Sequence, residues 1–310
     1  MDFAKPDENT AKLANSENQN EEKDTLDMCF MIDCTGSMQP YIDMARDKIK
    51  QVIKKVKSQY PNSEIKTAIV AYRDVKDKKR FEVFTFSESV DEARNFLDNL
   101  KADGGNDIPE DVNGGFQKAL YSLNWTADSK MLYHIADAPC HGRAFHDNAD
   151  DFPKGHKDDK PWDELLGEIR KREINYIFFK ISSETDKMFA KFLEIFNKAG
   201  EGEADSIFKQ EDIGLGDYMK SYEPYDSLLE RESYVKERVL KGAVDLSMRS
   251  APLRPYPTGR MHSFSFRGVE APNMDSGSKW VESTSKSAVS AIMRSRNKKT
   301  LSLSKDYSHI

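Results

Sequence analysis

The sequence predicts an α/β fold: a doubly wound, mostly parallel sheet with helices on both faces, Rossmann-like, with polar flanking extensions. Three observations carry this. Unbroken apolar runs such as Met28-Cys29-Phe30-Met31-Ile32 suit strands buried on both faces. Stretches with apolar residues three and four apart suit amphipathic helices. The two kinds alternate from residue 25 to about residue 200, the pattern of a sheet covered on each side.

Residues 1–24 are polar and acidic and read as a disordered lead. The first strand ends at Asp33. Ile42, Ala45, Ile49, Val52, Ile53 and Val56 then mark a helix, and Ile65 to Tyr72 a second buried strand. Phe81 to Phe86 alternates in polarity, so it is expected to be the edge strand, antiparallel, with one face in water. Val90, Ala93, Phe96, Leu97 and Leu100 mark a helix stopped by Gly104-Gly105; Val112, Phe116, Ala119, Leu120 and Leu123 mark the next. Met131 to Ala136 is a strand that runs straight into Asp137. A helix over Trp162, Leu165, Leu166 and Ile169 follows, then a strand from Ile174 to Ile181. A helix through Met188, Phe189, Phe192, Leu193 and Phe196 closes the unit.

The domain is therefore expected over residues 25–200. Residues 201–310 are expected to be a partly helical extension with a Ser-rich basic tail. Tyr225, Leu228, Leu229, Val235, Val239 and Leu240 suggest helix, and Pro252, Pro255 and Pro257 interrupt it. The last thirty residues hold eight serines and six basic residues against two acids, and read as disordered or as a segment that orders on a partner.

Composition narrows the function. Of 310 residues 38% are apolar and 32% charged, against about 45–50% and about 25% in ordinary domains, which suits a compact core with polar flanks. The net charge of −6 argues against a nucleic-acid partner, which needs a basic face. Three cysteines without a CxxC pair support neither a disulfide framework nor a zinc ribbon. With no secretory leader and no run of 18 apolar residues, no membrane span is expected, and the location is expected to be cytoplasmic.

In a doubly wound sheet ligands bind beyond the carboxyl ends of the strands. There the first strand presents Asp33-Cys34-Thr35-Gly36-Ser37, a carboxylate followed by hydroxyls two and four residues on. In a turn feeding a helix those three oxygens can converge, which suits a hard divalent cation, magnesium above all. The plain alternative for a lone strand-end aspartate is a helix cap.

This run resembles the metal-ion-dependent adhesion site (MIDAS) of von Willebrand factor A domains. The resemblance extends to Gly104-Gly105-Asn106-Asp107-Ile108-Pro109-Glu110 before the third helix and to Ile135-Ala136-Asp137-Ala138 after the later strand. The D-x-P-E run with Gly114-Gly115-Phe116 and Trp125 is similar to the integrin beta A-like domain, which implies that Glu110 stands where threonine is usual. The stretches Tyr72-Arg73-Asp74, Gly104 to Gly115, Asn124-Trp125, Asp137 to Gly142 and Thr185 to Phe192 look more like the A domains attached to alpha-kinases. Pro40 and Tyr41 stand where integrin beta domains carry paired aspartates, so the adjacent regulatory cation site is not supported. After the domain about 110 residues remain, with no glycine-rich phosphate loop, and a kinase module is not expected.

The resemblance implies a non-catalytic module that binds a protein through a cation. The metal ligands would be Asp33, Thr35, Ser37, Glu110 and Asp137, with an acidic side chain of the partner completing the shell. Magnesium is expected, or calcium or manganese. Asp107, Asp74 and His141 would be additional cation ligands or rim residues, with Glu110 ranked above Asp107 and an ion pair to Arg73 or Arg80 preferred for Asp74. His141 or Arg143 is expected to offset charge at the rim. An intracellular assembly, cytoskeletal or signalling, is implied as the setting. The enzymatic rival is a Mg-dependent aspartyl-phosphate phosphotransferase or hydrolase using Asp33, but it needs a lysine and a downstream acidic pair that Asp137-Ala138-Pro139 does not supply. A zinc site from His134, Cys140, His141 and His146 fits no standard spacing.

Overall fold

The computed structural model describes residues 23–105, 107–199, 207–212 and 274–306. Of the lead expected over residues 1–24, residues 1–22 lie outside them, as do the helices suggested over 225–240; Lys23 and Asp24 are described, and the Asp24 carbonyl accepts the Glu64 N–H at 2.8 Å. In chain order the elements are β1 (Thr25–Asp33), a 3₁₀ turn (Gly36–Met38), α1 (Gln39–Gln59), β2 (Glu64–Tyr72), β3 (Phe81–Ser87), α2 (Val90–Asn99) and α3 (Val112–Tyr121). They continue as β4 (Ser129–Ala136), α4 (Trp162–Lys171), β5 (Ile174–Lys180), α5 (Asp186–Lys198), β6 (Phe208–Asp212) and α6 (Met274–Asp306).

The six strands form one sheet in the order β3-β2-β1-β4-β5-β6. All neighbours are parallel except β2 and β3, so the alternating strand is the antiparallel edge. The direction of winding reverses between β1 and β4, and Asp33 ends β1 there while Asp137 directly follows β4.

The two faces of β1 explain its unbroken apolar run. Leu26, Met28, Phe30 and Ile32 join the layer made with α1, α2 and α6, whereas Cys29 and Met31 join the layer of α3, α4 and α5. Helices on both sides leave no face of this strand for water. That is why it does not alternate.

Two corrections concern the ends of elements. The helix begun at Val90 ends at Asn99, with the Leu100 N–H bonded to the Leu97 carbonyl; Gly104-Gly105 lies in the following loop. The sheet also continues past residue 200, because β6 pairs with β5 and the Ile207 N–H bonds to Asn175 Oδ1 at 2.9 Å.

The larger correction is the tail, whose residues 281–306 are helix packed on the domain rather than a disordered segment or one that waits for a partner. On α6, Trp280, Ala288 and Ile292 are fully buried, with Val281, Val289 and Ala291 nearly so. The Trp280 ring lies 5.8 Å from Phe30, and Tyr133 donates to the Thr284 carbonyl at 2.9 Å. The serines that disguise this face bond back within the helix, Ser285 Oγ to the Val281 carbonyl and Ser287 Oγ to the Ser283 carbonyl. No helix among the described residues is long and apolar enough to cross a membrane.

Candidate metal centre

Three loops at the carboxyl ends of the strands meet around Asp33. Its Oδ1 accepts the Thr35 N–H at 2.9 Å and the Thr35 hydroxyl at 2.8 Å. The 3₁₀ turn then brings round Ser37, whose hydroxyl donates to Asp137 Oδ2 at 2.5 Å. Glu110 arrives from the loop before α3, fixed by its N–H to the Pro139 carbonyl at 2.9 Å and by a single parallel bridge to Cys140. The glycines let this second loop come close. Gly105 has φ +79°, and a Cβ there would stand 2.8 Å from Glu110 Oε1 and 3.2 Å from Thr35 Cβ.

Asp33 is fully buried, Glu110 is 3% exposed and Asp137 7%. Asp33 Oδ2, Glu110 Oε2 and Asp137 Oδ1 are each buried with no hydrogen-bond partner. Three buried carboxylate oxygens without a proton donor are costly as anions unless something positive joins them. Burial and then the Asp137 charge push the Asp33 carboxyl up to about 8, against opposing bonds from Thr35 and the charge of Arg73. Burial, with Asp33, Asp74 and Asp137 adding, holds Glu110 well above its ordinary range, and burial also raises Asp137. Carboxylates and hydroxyls without nitrogen or sulfur suit a hard divalent ion, so the donor set fits one.

A pH dependence follows. The folded pKa of Asp33 lies above its ordinary 3.8. The cation-free protein therefore loses stability as pH rises from about 4 through about 8, where the folded state holds the extra proton. A divalent ion must displace those protons. The rise in melting temperature on adding MgCl₂ is expected to be larger at pH 8 than at pH 5, measured by thermal denaturation at both; an equal rise would contradict this assignment.

The remaining expected residues form a neighbouring group. Asp74 does not pair with Arg73 or Arg80. Arg73 takes Glu82 at 2.9 Å together with the carbonyls of Lys79 and Lys101, and Arg80 takes Asp111. Asp74 instead faces His141 Nε2 at 2.8 Å. Asp107 lies with these two, not with Asp33. His141 is therefore held rather than free at the rim, whereas Arg143 is exposed. Burial pulls the His141 pKa down, but its bonds to Asp74 and Asp150 outweigh this and raise it.

The four residues of the zinc alternative divide. His134 sits in the core between the Tyr72 and Tyr176 hydroxyls at 2.8 Å each, and the Cys140 N–H meets Met188 sulfur. Only His141 and His146 share a neighbour, Asp150.

Two organising residues escaped the sequence reading. Asp77 Oδ2 accepts the N–H groups of Asp74 and Gly105, at 3.0 and 3.1 Å, and so ties the turn after β2 to the second metal loop. Asp150 accepts from the Gly142 and Phe152 N–H groups and faces both histidines. An aspartate in a polar turn three residues after Asp74 was the available signal for the first; the second had none, because its partners meet only in the fold.

Residues 27–152 match the family model of the von Willebrand factor A domain, a range that runs from β1 past Asp137 and His141. The chain carries a von Willebrand factor A domain. A stretch of 170 residues, 54% of this chain, is 37% identical to the alpha-protein kinase vwkA of Dictyostelium discoideum, and covers 27% of that protein's length. Solved structures similar to the chain include the SpRpn10 VWA domain, 12% identical over 61% of this chain and 88% of that one, with a TM-score of 0.40. Another is proximal thread matrix protein 1 from the mussel byssus, 14% identical over 57% of this chain and 45% of that one, with a TM-score of 0.36. In this A domain the strand ends at the β1/β4 switch point carry Asp33, Thr35, Ser37 and Asp137, and the loop before α3 carries Glu110.

Proposed function

We propose that this A domain is a non-catalytic protein-interaction module that works through a divalent cation, magnesium first and calcium or manganese by the same oxygen chemistry. Asp33, Glu110 and Asp137 would hold the ion with Thr35 and Ser37, directly or through water. The observation that carries this is the set of three buried carboxylate oxygens, one from each loop, that lack any donor. When bound, the ion supplies a Lewis-acidic attachment point for a carboxylate of the partner. The module would act in the cytoplasm within a larger assembly, with cytoskeletal association as one such setting.

Charge counting sharpens the proposal. Three carboxylates against one divalent ion leave −1, which weakens attraction for an incoming carboxylate. Replacing Glu110 by the more usual threonine removes that excess. Glu110→Thr should therefore keep magnesium binding and tighten partner binding by up to ~10-fold, about 1.4 kcal/mol.

The test is capture of partners by the immobilised full chain with MgCl₂ and with EDTA, for the natural protein and for Glu110→Thr. EDTA is expected to release the partner and the variant to retain more of it. If EDTA releases nothing and the variant changes nothing, binding uses another face. A phosphoenzyme trapped at Asp33 would instead establish the phosphotransferase reading.

A further inference from the structure

We propose a second cation site beside the first, built from Asp74, Asp107 and His141, that takes a borderline divalent ion with zinc as the best match. It goes beyond the interaction reading and does not depend on it.

The three residues come from three loops: Asp74 just beyond β2, Asp107 before α3, and His141 after β4. One ligand atom from each lies within 4.8 Å of the others. Proximity of acids alone would mean little. The polar atoms they leave over point to a missing group. Asp74 is fully buried, and its Oδ2 has no hydrogen-bond partner. Asp107 Oδ1 is likewise buried and without a partner, while its Oδ2 is held by the Asp151 N–H at 2.7 Å. Two anchored carboxylates thus each keep one oxygen out of water with nothing to accept from, which is expensive unless a cation is bound.

The histidine adds a second, independent sign. A metal-bound imidazole usually gives its other ring nitrogen to a carboxylate that fixes the ring. His141 Nδ1 meets Asp150 Oδ1 at 2.8 Å. Asp150 is itself anchored by the N–H groups of Gly142 at 2.8 Å and Phe152 at 2.7 Å, and faces His146 at 3.1 Å. The Phe152 ring stands edge-on to the imidazole, 4.9 Å away. These contacts orient Nε2 toward Asp74 Oδ1, 2.8 Å distant. An incoming ion takes the place of the proton shared there, and that proton leaves to solvent. Lys76, two residues after Asp74, is engaged with Asp151 and lies over the Phe152 ring.

The donor sets separate the two sites. The Asp33 cluster offers oxygen only, which suits magnesium; an imidazole nitrogen with two carboxylates suits zinc, cobalt or manganese, with zinc and cobalt above manganese in affinity.

The experiment titrates the EDTA-stripped full chain with Co²⁺ in excess MgCl₂, follows the visible absorption of the bound ion, and then adds Zn²⁺. One equivalent of Co²⁺ is expected to bind despite the magnesium and to be displaced by zinc. His141→Ala and Asp107→Asn should each weaken it at least ~10-fold with unchanged circular dichroism, and Asp33→Ala should leave it in place. Asp107→Asn keeps an oxygen for the Asp151 N–H, so it decides the matter if His141→Ala fails to fold. Co²⁺ binding that is unchanged in Asp107→Asn, or that disappears in Asp33→Ala, would overturn the proposal. Its failure would leave magnesium binding intact, whereas failure of the interaction reading would leave cobalt binding intact.

Discussion

Asp33→Asn should abolish tight magnesium binding while keeping the fold. One of the two carboxylate oxygens at position 33 already satisfies the Thr35 N–H and hydroxyl, and an amide oxygen can do the same. The other oxygen is buried without a partner and is the one the ion would use. Loss of an outer-shell partner commonly costs 10–100-fold in affinity, so loss of a direct ligand should cost at least ~100-fold, read by calorimetric titration. Asp33→Ala should lose the same binding but also strand the two Thr35 donors, at about 1–3 kcal/mol if they stay buried. Unfolding of Asp33→Asn would show that position 33 serves the fold through its charge, and undiminished magnesium binding would remove it from the site.

Trp280→Ala should destabilise the protein by about 3–5 kcal/mol, the usual cost of emptying a large aromatic site in a core. Trp280 is fully buried between Phe30 of β1 and Phe179 of β5, on a helix that sequence periodicity did not reveal. Its indole N–H has no hydrogen-bond partner, so Trp280→Phe should cost markedly less than the alanine change. Denaturant unfolding of the full chain measures both. A loss below ~1 kcal/mol for Trp280→Ala would mean that α6 contributes little to the domain.

These two positions differ in how much of their surroundings the sequence makes legible. Asp33, Thr35 and Ser37 were legible because their geometry is local: a buried strand, a turn and a helix within a dozen residues. Asp137 was legible because β4 runs directly into it, and the edge strand because Phe81 to Phe86 alternates. The helix α6 was hidden because its buried face is made largely of alanine, serine and threonine, small residues that carry little periodic hydrophobicity; Ser285 and Thr284 are themselves buried. The pairing of Asp74 with His141 was hidden for another reason. Arg73 is adjacent in sequence, but it turns toward Glu82 and two carbonyls, while His141 reaches Asp74 only because β4 lies two strands from β2. Charge partners across loops are set by topology, which spacing along the chain does not encode.

The central claim is that one divalent ion sits among Asp33, Glu110 and Asp137, and a crystal of the full chain grown with MnCl₂ tests it most directly. Anomalous scattering at the manganese edge is expected to show a peak within coordination distance of Asp33 Oδ2, Glu110 Oε2 and Asp137 Oδ1, or one bridging water from them, and to lose it in Asp33→Asn. A well-ordered cluster with no anomalous peak at saturating manganese would contradict it.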